Sequence, residues 1–455
     1  MKKVLLLTLS LLLLTAGMAA AAEDWLTIGG DYRFRYDVLE GTVPNYTQLT
    51  SVAPTTASIT GYTVKNSSLM MHRFGLNIKA DPMEDVVVKA RLVMYKVSGQ
   101  ETSNAVFANF FADRMMNIDG TSAHVPQDNT LRVDYAFATV NNIFDAPMWF
   151  SIGRRPSTGG IPSNYRENQE KMGTAGIPSI LVDYAFDGMT LGYAPDIAKL
   201  PGAYAKLCYG RGFESGYKNI PNTSSNIKDT DFLGLNAVAY DTEKLHVEVQ
   251  YQKGMHIFDY PSDYPPSTNL GDIQWLGGVI TTKMGPLNLF VSAAASETDP
   301  NANLTGPDFN QDGTPDAPMA GLLYNAGAKE SHTGNAIYVG GRYDMGSTKV
   351  GAEYNRGSKY WISMIPASDD IWTGKLGTRG SVYEVYLIQE LKRKPISKKG
   401  KAFVRLGYQF YKFDYTGSNN WVGAPVKISE VVANPQVQAP LKDAQDIYAT
   451  FDVQF

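Results

Sequence analysis

The chain has 455 residues, of which 44% are apolar and 11% aromatic, and its formal net charge is -4 at pH 7. It is longer than one ordinary compact domain and too apolar to be disordered. The only cysteine, Cys208, excludes a disulfide framework and a cysteine-ligated zinc, iron-sulfur or haem c site. The mild acidic excess disfavours nucleic acid as a partner, because phosphate binding requires a concentrated Lys/Arg surface.

Residues 1–22 have the pattern of a secretory signal peptide. Two lysines precede a leucine-rich run from Val4 to Leu14, and small residues ending in Ala22 follow. The run is about half as long as the roughly 20 residues that a spanning helix needs. We therefore expect residues 23–455 to be exported as one domain after cleavage. The alternative is a retained membrane anchor.

The recurring period in the mature chain is two. In residues 27–38 apolar or aromatic side chains alternate with polar ones, and residues 245–252 and 447–455 repeat the pattern. Such alternation places the two sets on opposite faces of a strand. The segments run about ten residues, the length with which a tilted strand crosses a bilayer. The pattern predicts an all-β transmembrane antiparallel barrel.

The connections between these segments fall into two size classes. We treat Ser179–Pro195 as one strand with a glycine bulge, because a turn at Asp187-Gly188 would break the alternation of short and long connections. The count then becomes 16 strands, with 14 or 18 as alternatives, and both termini face the periplasm. The seven short periplasmic turns are 81–85, 141–148, 196–202, 241–244, 284–286, 345–347 and 394–400. The eight long extracellular loops are 39–68, 97–129, 157–178, 214–229, 255–271, 298–334, 360–379 and 414–444.

Both ends of the chain resemble a bacterial outer-membrane porin. The first mature strand reads WLTIGGDYRFRY, and the last reads IYATFDVQF and ends in Phe455. The internal stretch GRRP at 153–156, with IPSNYR and DYAFDGMTLGY after it, resembles a family of functionally uncharacterised porins of Gram-negative bacteria. The resemblance implies a location in the Gram-negative outer membrane, in contact with its lipid. It also implies Phe455 as the signal for the barrel-assembly machinery, and a homotrimer.

The polar parity of the strands faces the lumen, and on the first four strands it is rich in cations. Such a basic wall would attract or orient anions in a pore. The alternative is that these cations pair with Asp31, Asp37, Asp81 and Asp134 on the same face. The expected basic wall consists of Arg33, Arg35, Arg73, Lys79, Lys89, Arg91 and Arg132. Across the lumen we expect an acidic wall of Glu248, Glu353, Glu384 and Glu390, and thus a transverse field.

The third long loop is the expected constriction, because in general porins this loop folds inward. By this resemblance Arg154, Arg155 and Arg166 bracket the loop, and Glu167, Glu170 and Lys171 form its polar tip. The alternative is the second loop, where the apolar stretch 105–117 could line the lumen or form a small cap over the mouth.

The sixth long loop carries the spacing of a calcium loop. Oxygen ligands at alternate positions can converge on one cation, and Gly313 allows the sharp turn. The loop resembles the short calcium loops of extracellular repeat proteins, although Met319 stands where an EF-hand has its bidentate Glu. A surface turn without metal is the alternative. The expected Ca²⁺ ligands are Asp308, Asn310, Asp312 and Asp316.

The sequence contains no GxSxG, GxxxxGK[ST] or HExxH motif, and its five histidines are scattered, so we do not expect an enzyme. The leading hypothesis is a porin with a water-filled channel for small hydrophilic solutes or ions, with a preference for anions. One alternative is a scaffold barrel that encloses a partner such as a multihaem electron-transfer cytochrome. A second alternative is a barrel enzyme, a lipase or protease.

Overall fold

The computed structural model describes residues 25–50, 56–101, 118–156, 159–171, 180–181, 184–217, 227–261, 266–305, 321–325 and 329–455. Sixteen antiparallel strands close into a barrel in which each strand pairs with its neighbours in sequence and β1 pairs with β18. Two further strands, β2 and β3, form a separate hairpin within the first long loop. The strands are β1 (Leu26–Val43), β2 (Tyr46–Leu49), β3 (Thr56–Ile59), β4 (Tyr62–Met83), β5 (Val86–Val97), β6 (Arg132–Val140), β7 (Met148–Arg155), β8 (Phe186–Tyr193), β9 (Tyr204–Phe213), β10 (Thr230–Asp241), β11 (Leu245–Phe258), β12 (Asn269–Met284), β13 (Leu287–Pro300), β14 (Thr333–Met345), β15 (Thr348–Gly357), β16 (Gly380–Glu390), β17 (Lys401–Phe413) and β18 (Asp443–Gln454).

Helical structure within the described residues is limited to short pieces. The α-helix α1 spans Ser163–Arg166, and single 3-10 turns lie at Ile143–Asp145, Lys375–Gly377 and Ile428–Glu430. In the part of the chain that the structure describes, no helix combines the length and apolar character needed to cross a bilayer.

The period-two pattern places an apolar surface on the outside of the barrel. On β11 the side chains of Val249 and Tyr251 are exposed, whereas Glu248 and Gln250 between them point inward and are buried. A continuous outer surface of this kind is what a strand wall in contact with lipid requires. Other exposed outward side chains are Ile28, Ile152, Leu191, Leu207, Leu235, Leu276, Ile280, Ile337, Val385, Leu406, Ile447 and Phe451.

The predicted strand count and turns are confirmed. The barrel has 16 strands, and all seven short connections fall where the sequence placed them. Some strand boundaries were wrong. β1 runs to Val43 and β4 begins at Tyr62, so both extend into the predicted first loop, and β8 begins at Phe186, not at residue 179. Ile180, Leu181 and Tyr184 precede it as buried members of an apolar cluster, so packing inside the barrel removes them from the wall.

The outer half of the lumen, on the side of the long loops, is packed with side chains. Three loops supply most of those that come from loops: L3 (residues 156–185), L7 (358–379) and L8 (414–442), with Ile118, Leu322 and Leu323 added from two others. The main cluster joins Trp361 and Ile365 of L7 and Trp421 of L8 to inward residues such as Trp275 and Tyr338. A second group, the seam cluster, joins Ile371 and Trp372 of L7 to inward residues of β1, β4, β5 and β16–β18. The apolar core of this barrel therefore lies inside the wall.

Candidate functional site: the lumen and its plug

L7 enters the lumen and is anchored there through tryptophan side chains. The indole of Trp361 donates to the carbonyl of Leu376 at 2.7 Å, within the loop, and that of Trp372 donates to the carbonyl of Gln445 on β18 at 3.0 Å. From the wall, the indole of Trp275 donates to the carbonyl of Ile362 at 3.0 Å. Because these donors are satisfied, the large apolar rings can be buried without the penalty of an unpaired N–H.

L3 crosses the lumen towards the periplasmic turns. Tyr165 in α1 stacks on Phe290 with ring centroids 6.1 Å apart, and its carbonyl accepts from Arg342 at 2.7 Å. Farther along, Asn168 donates to Glu390 at 2.9 Å and accepts from Lys349 at 2.6 Å. Since Glu390 is the last residue of β16 and Lys349 the second of β15, this contact lies near the periplasmic turns. L3 thus spans much of the depth of the barrel.

Arg33 on β1 binds both loops at once. It donates to Glu167 of L3 at 2.6 Å and to Asp369 of L7, and it also pairs with Asp452 on β18 at 2.5 Å. Arg405 on β17 contacts the same two loop carboxylates, at 3.0 and 3.4 Å. At Arg33, therefore, the predicted basic wall binds acidic residues of the loops.

The acidic wall holds the cations of the same loops. Lys375 of L7 lies 2.5 Å from both Glu353 and Glu384. Arg166 of L3 lies 3.1 Å from Glu384 and 2.9 Å from Asp370 of L7. L3 and L7 therefore form one plug, with negative charge towards the basic wall and positive charge towards the acidic wall.

The loop carboxylates are held in their charged form. Burial alone raises the pKa of Glu167, but the charges of Arg33 and Arg405 outweigh it and hold the pKa well below its ordinary value. Burial likewise raises the pKa of Asp369, and the arginines around it, Arg33 first, lower it well below the ordinary range. These carboxylates stay ionised through mildly acidic conditions.

L8 is joined to L7 by a buried arginine. Arg379 is 1% exposed and donates to the carbonyls of Trp361 at 3.1 Å, Thr416 at 3.1 Å and Asn420 at 2.5 Å. Burial lowers its pKa to about 9, so the group remains charged at neutral pH. Its contacts join the start of L7 to L8. We call these joined parts of L7 and L8 the cap, and through L7 the cap is continuous with the plug.

The remaining cations of the predicted basic wall are mostly paired on the same face, which was the alternative interpretation. Arg91 lies 2.7 Å from Asp31 and 3.3 Å from Asp134, and Arg73 lies 3.7 Å from Asp31. Arg35 binds Asp37 and Asp446, Lys79 binds Asp81, and Arg132 binds Asp128. Lys89 differs, because it is exposed within the lumen and forms no ion pair with any described residue.

The residues expected at the constriction are divided between two places. Arg154 and Arg155 belong to β7, not to a loop, and Arg154 pairs with Asp119 at 2.6 Å near the rim. Arg166 and Glu167 lie in the plug. Glu170 is exposed, and Lys171 pairs with Asp241 at the periplasmic end of β10. On the acidic wall, Glu248 accepts from Asn236 and lies 3.0 Å from His246.

Two predictions concern residues outside the described part of the chain. The expected calcium ligands Asp308, Asn310, Asp312 and Asp316 lie there, as does the apolar stretch of the second loop, so both stay predictions. Among the residues that are described, no group of three or more His, Cys, Asp or Glu is arranged to hold a metal ion. Of the scattered histidines, His72 lies near Tyr32 on the outer face and His332 stacks on Tyr360.

Sequence reasoning did not single out the plug residues Asp369, Lys375 and Arg405, or Arg379 at the cap. Their partners are distant in sequence, so no local spacing marks them. One signal was available. The segment 361–372 contains two tryptophans, three isoleucines and a methionine, a composition unsuited to a solvated loop.

Several solved structures are similar to this chain at low sequence identity. OmpT of Vibrio cholerae, folded in vitro, is 13% identical with a TM-score of 0.43, over 94% of this chain and 97% of that one. An anion-selective porin from Comamonas acidovorans is 10% identical with a TM-score of 0.45, over 94% and 99%. Salmonella typhi OmpF in complex with daunomycin is 10% identical with a TM-score of 0.45, over 94% and 97%.

The barrel itself fixes the location of the chain. An even number of antiparallel strands, short turns at one end and an apolar outer surface are the features of a bacterial outer-membrane barrel. A search of curated proteins gave no match. A family model matches residues 63–455, nearly the whole barrel. The chain belongs to this family, which is described as protein of unknown function (DUF3373).

Proposed function

We propose that the chain forms an outer-membrane channel for small hydrophilic ions, narrowed by its own L3 and L7. The observation that carries the proposal is the uneven closure of the lumen. L7 and the inward residues opposite it are buried, whereas Lys79 and Lys89 on β4 and β5 point into the lumen and remain accessible near the periplasmic turns. Charged side chains kept accessible inside a barrel are suited to contact with water and ions.

The accessible part of the lumen supports a preference for anions. Lys79 and Lys89 lie directly opposite each other in the β4–β5 register, and Asp81 pairs with Lys79 alone, at 2.7 Å. Most other cations of the basic wall are neutralised by carboxylates. The selectivity of the channel would therefore depend on a few cations near the periplasmic mouth, and not on the full basic wall.

Recording the purified protein in a planar bilayer tests this function. We expect small conductance steps and, in a salt gradient, a reversal potential on the anion side. Lys89→Glu should move that potential towards the cation, whereas Lys65→Glu, at an exposed position of the outer rim, should not. An absence of steps across several salts would refute the channel.

A second candidate is a non-conducting scaffold barrel, favoured by the two apolar clusters that fill the outer half of the lumen. A partner enclosed by the barrel would need the space that L3 and L7 occupy, so a partner such as a cytochrome would have to bind at the loops or the mouth. Co-purification discriminates: a coloured complex supports the scaffold, and a colourless conducting protein supports the channel. Crosslinking in the membrane tests the homotrimer separately.

A further inference from the structure

Arg155 is a deeply buried cation without an acidic partner. Its side chain points into the barrel and is 9% exposed, and among the described residues no carboxylate lies within ion-pair distance of it. Its guanidinium carbon lies 4.5 Å from the centre of the Phe137 ring, and its Nε–H donates to the hydroxyl of Thr190 at 3.4 Å. Burying a charge with so little compensation is costly, and a bound counterion would relieve the cost.

Lys89 lies beside the same ring. In the β5–β6 register it stands opposite Phe137, so Lys89 and Arg155 flank one aromatic side chain. On its other side Lys89 stands opposite Lys79, and like charges in opposed positions destabilise a strand pair. The charges of Lys79 and Arg155 both act on Lys89. Among the described residues that act most on Lys89, these two cations face one carboxylate, that of Asp81, which is bound to Lys79, so the local field is positive.

A row of hydroxyl groups lies next to these cations. Thr139, Ser151 and Thr190 are consecutive partners across β6, β7 and β8, and all three point inward. The hydroxyls of Thr139 and Ser151 are within hydrogen-bond distance of each other. The hydroxyl of Thr190 accepts from Arg155 and donates to the sulfur of Cys208 at 3.4 Å, a weak acceptor from which its proton can turn to a bound anion. A guanidinium, an ammonium and adjacent hydroxyls are the donors that recognise an oxyanion, because the guanidinium fork matches two oxygens of a tetrahedral anion.

We propose that Lys89, Arg155 and Thr190 form a binding site for a small tetrahedral oxyanion, reached from the periplasmic mouth past the exposed Lys89. The site rests on the proposed function and adds to it the class of anion that would bind in the lumen during passage through the channel. Binding itself does not require conduction, so the site can be tested separately from the channel.

Calorimetric titration of the full-length, detergent-solubilised protein with inorganic phosphate at constant ionic strength tests the site. We expect saturable binding, weakened about tenfold or more in Arg155→Gln and in Lys89→Gln, since each removes a charge-assisted hydrogen bond. Arg155→Lys should retain part of the affinity. Lys65→Gln, which removes an exposed lysine paired with Glu40 at the outer rim, is the matched control and should bind as the wild type does.

Folding is checked by the heat-dependent shift in gel mobility of an intact barrel. Lys89→Gln keeps the test informative if Arg155→Gln does not fold, because Lys89 is exposed. Wild-type protein without saturable phosphate binding, or a folded Lys89→Gln variant with wild-type affinity, would overturn the proposal. In bilayers phosphate should also reduce the chloride current of the wild type but not of Lys89→Gln. Saturable phosphate binding without any conductance in the bilayer would refute the channel but support the site. Chloride conductance that phosphate does not change would support the channel but refute the site.

Discussion

Arg33 on β1 and Asp369 on L7 form an ion pair inside the barrel, and each side chain is only 3% exposed. The pair joins the first strand of the barrel to a loop more than three hundred residues later, and the same arginine also holds Glu167 of L3. Because the pair is buried, removing Asp369 leaves Arg33 with only Glu167 and Asp452 to balance a cluster of arginines in a medium of low polarity. The position of the plug therefore depends on this contact.

Asp369→Asn should release L7 from the basic wall. The side chain lies near Arg33, Arg35 and Arg405, so the substitution leaves three arginines without a shared counterion. We expect a loss of about 3 to 5 kcal/mol in unfolding free energy, typical of a broken buried pair. We also expect a larger single-channel conductance in planar bilayers.

The matched control for Asp369→Asn is Glu40→Gln. It removes an ion pair between Glu40, whose side chain is 42% exposed, and Lys65, whose side chain is 63% exposed. Such an exposed pair contributes about 0 to 1 kcal/mol to the free energy of unfolding. If Asp369→Asn conducts and unfolds as the wild type does, L7 is not held by this ion pair.

Lowering the pH to 5 should not release the plug. The pKa values of Glu167 and Asp369 lie below the ordinary values of about 4.3 and 3.9. A carboxylate with a lowered pKa stabilises the folded state above its ordinary pKa, and this contribution is lost only as the pH falls through the lowered value. Arg33 and Arg405 face these carboxylates from the wall, and the Tyr95 hydroxyl donates to Asp369 at 2.8 Å.

Conductance measured as a function of pH checks this expectation. The step size should be constant between pH 7 and pH 5 and should increase only well below pH 4. A channel that opens between pH 7 and 5 would show that other groups control the plug.

The wall of this barrel could be predicted from the sequence because its signal is local. Arg33, Phe34 and Arg35 alternate between lumen and lipid within three residues, and the same period recurs along the chain. Turn positions followed from where the alternation stops. The boundary of β8 was missed because Tyr184 and Ala185 continue a strand-like pattern, whereas in the structure both are buried and Tyr184 packs in the apolar cluster of the lumen.

The plug could not be predicted in this way. Asp369 has no partner nearby in sequence, and its contacts exist only once β1, β17 and L7 meet in the closed barrel. The fate of the expected transverse field could not be predicted either, because it depends on which loop charges neutralise the two walls. Lys375 shows the difficulty, since its position in L7 gives no hint that it binds both Glu353 and Glu384.

Arg379→Met should loosen the cap formed by L7 and L8. The change removes the donor to three carbonyls, of Trp361, Thr416 and Asn420, and each buried unsatisfied acceptor costs about 1 to 3 kcal/mol. We expect faster chymotrypsin cleavage in residues 358–379 and 414–442 of the folded protein. The control is Arg356→Met, whose side chain is 53% exposed and pairs with Asp414. Equal cleavage of Arg379→Met and wild type would show that the cap is held elsewhere.

Gly30→Ala should impair closure of the barrel at the seam between β1 and β18. Gly30 and Phe455 exchange backbone hydrogen bonds, Gly30 N–H to Phe455 O at 2.7 Å and Phe455 N–H to Gly30 O at 3.0 Å. A Cβ at Gly30 would lie 2.4 Å from the carbonyl oxygen of Gly75 on β4 and 2.8 Å from the Phe455 ring. Because β1 is paired on both sides, it cannot shift away from one contact without worsening the other.

The comparison for Gly30→Ala is Gly234→Ala on β10, where a Cβ would meet its nearest side-chain atom at 3.5 Å, an ordinary contact. We expect less heat-modifiable, folded protein in outer-membrane fractions for Gly30→Ala and wild-type amounts for Gly234→Ala. Equal amounts of folded protein for both variants would mean that the seam tolerates a methyl group. The close approach of the Phe455 ring to Gly30 would then not limit assembly, and the backbone pairing of β1 with β18 would suffice to close the barrel.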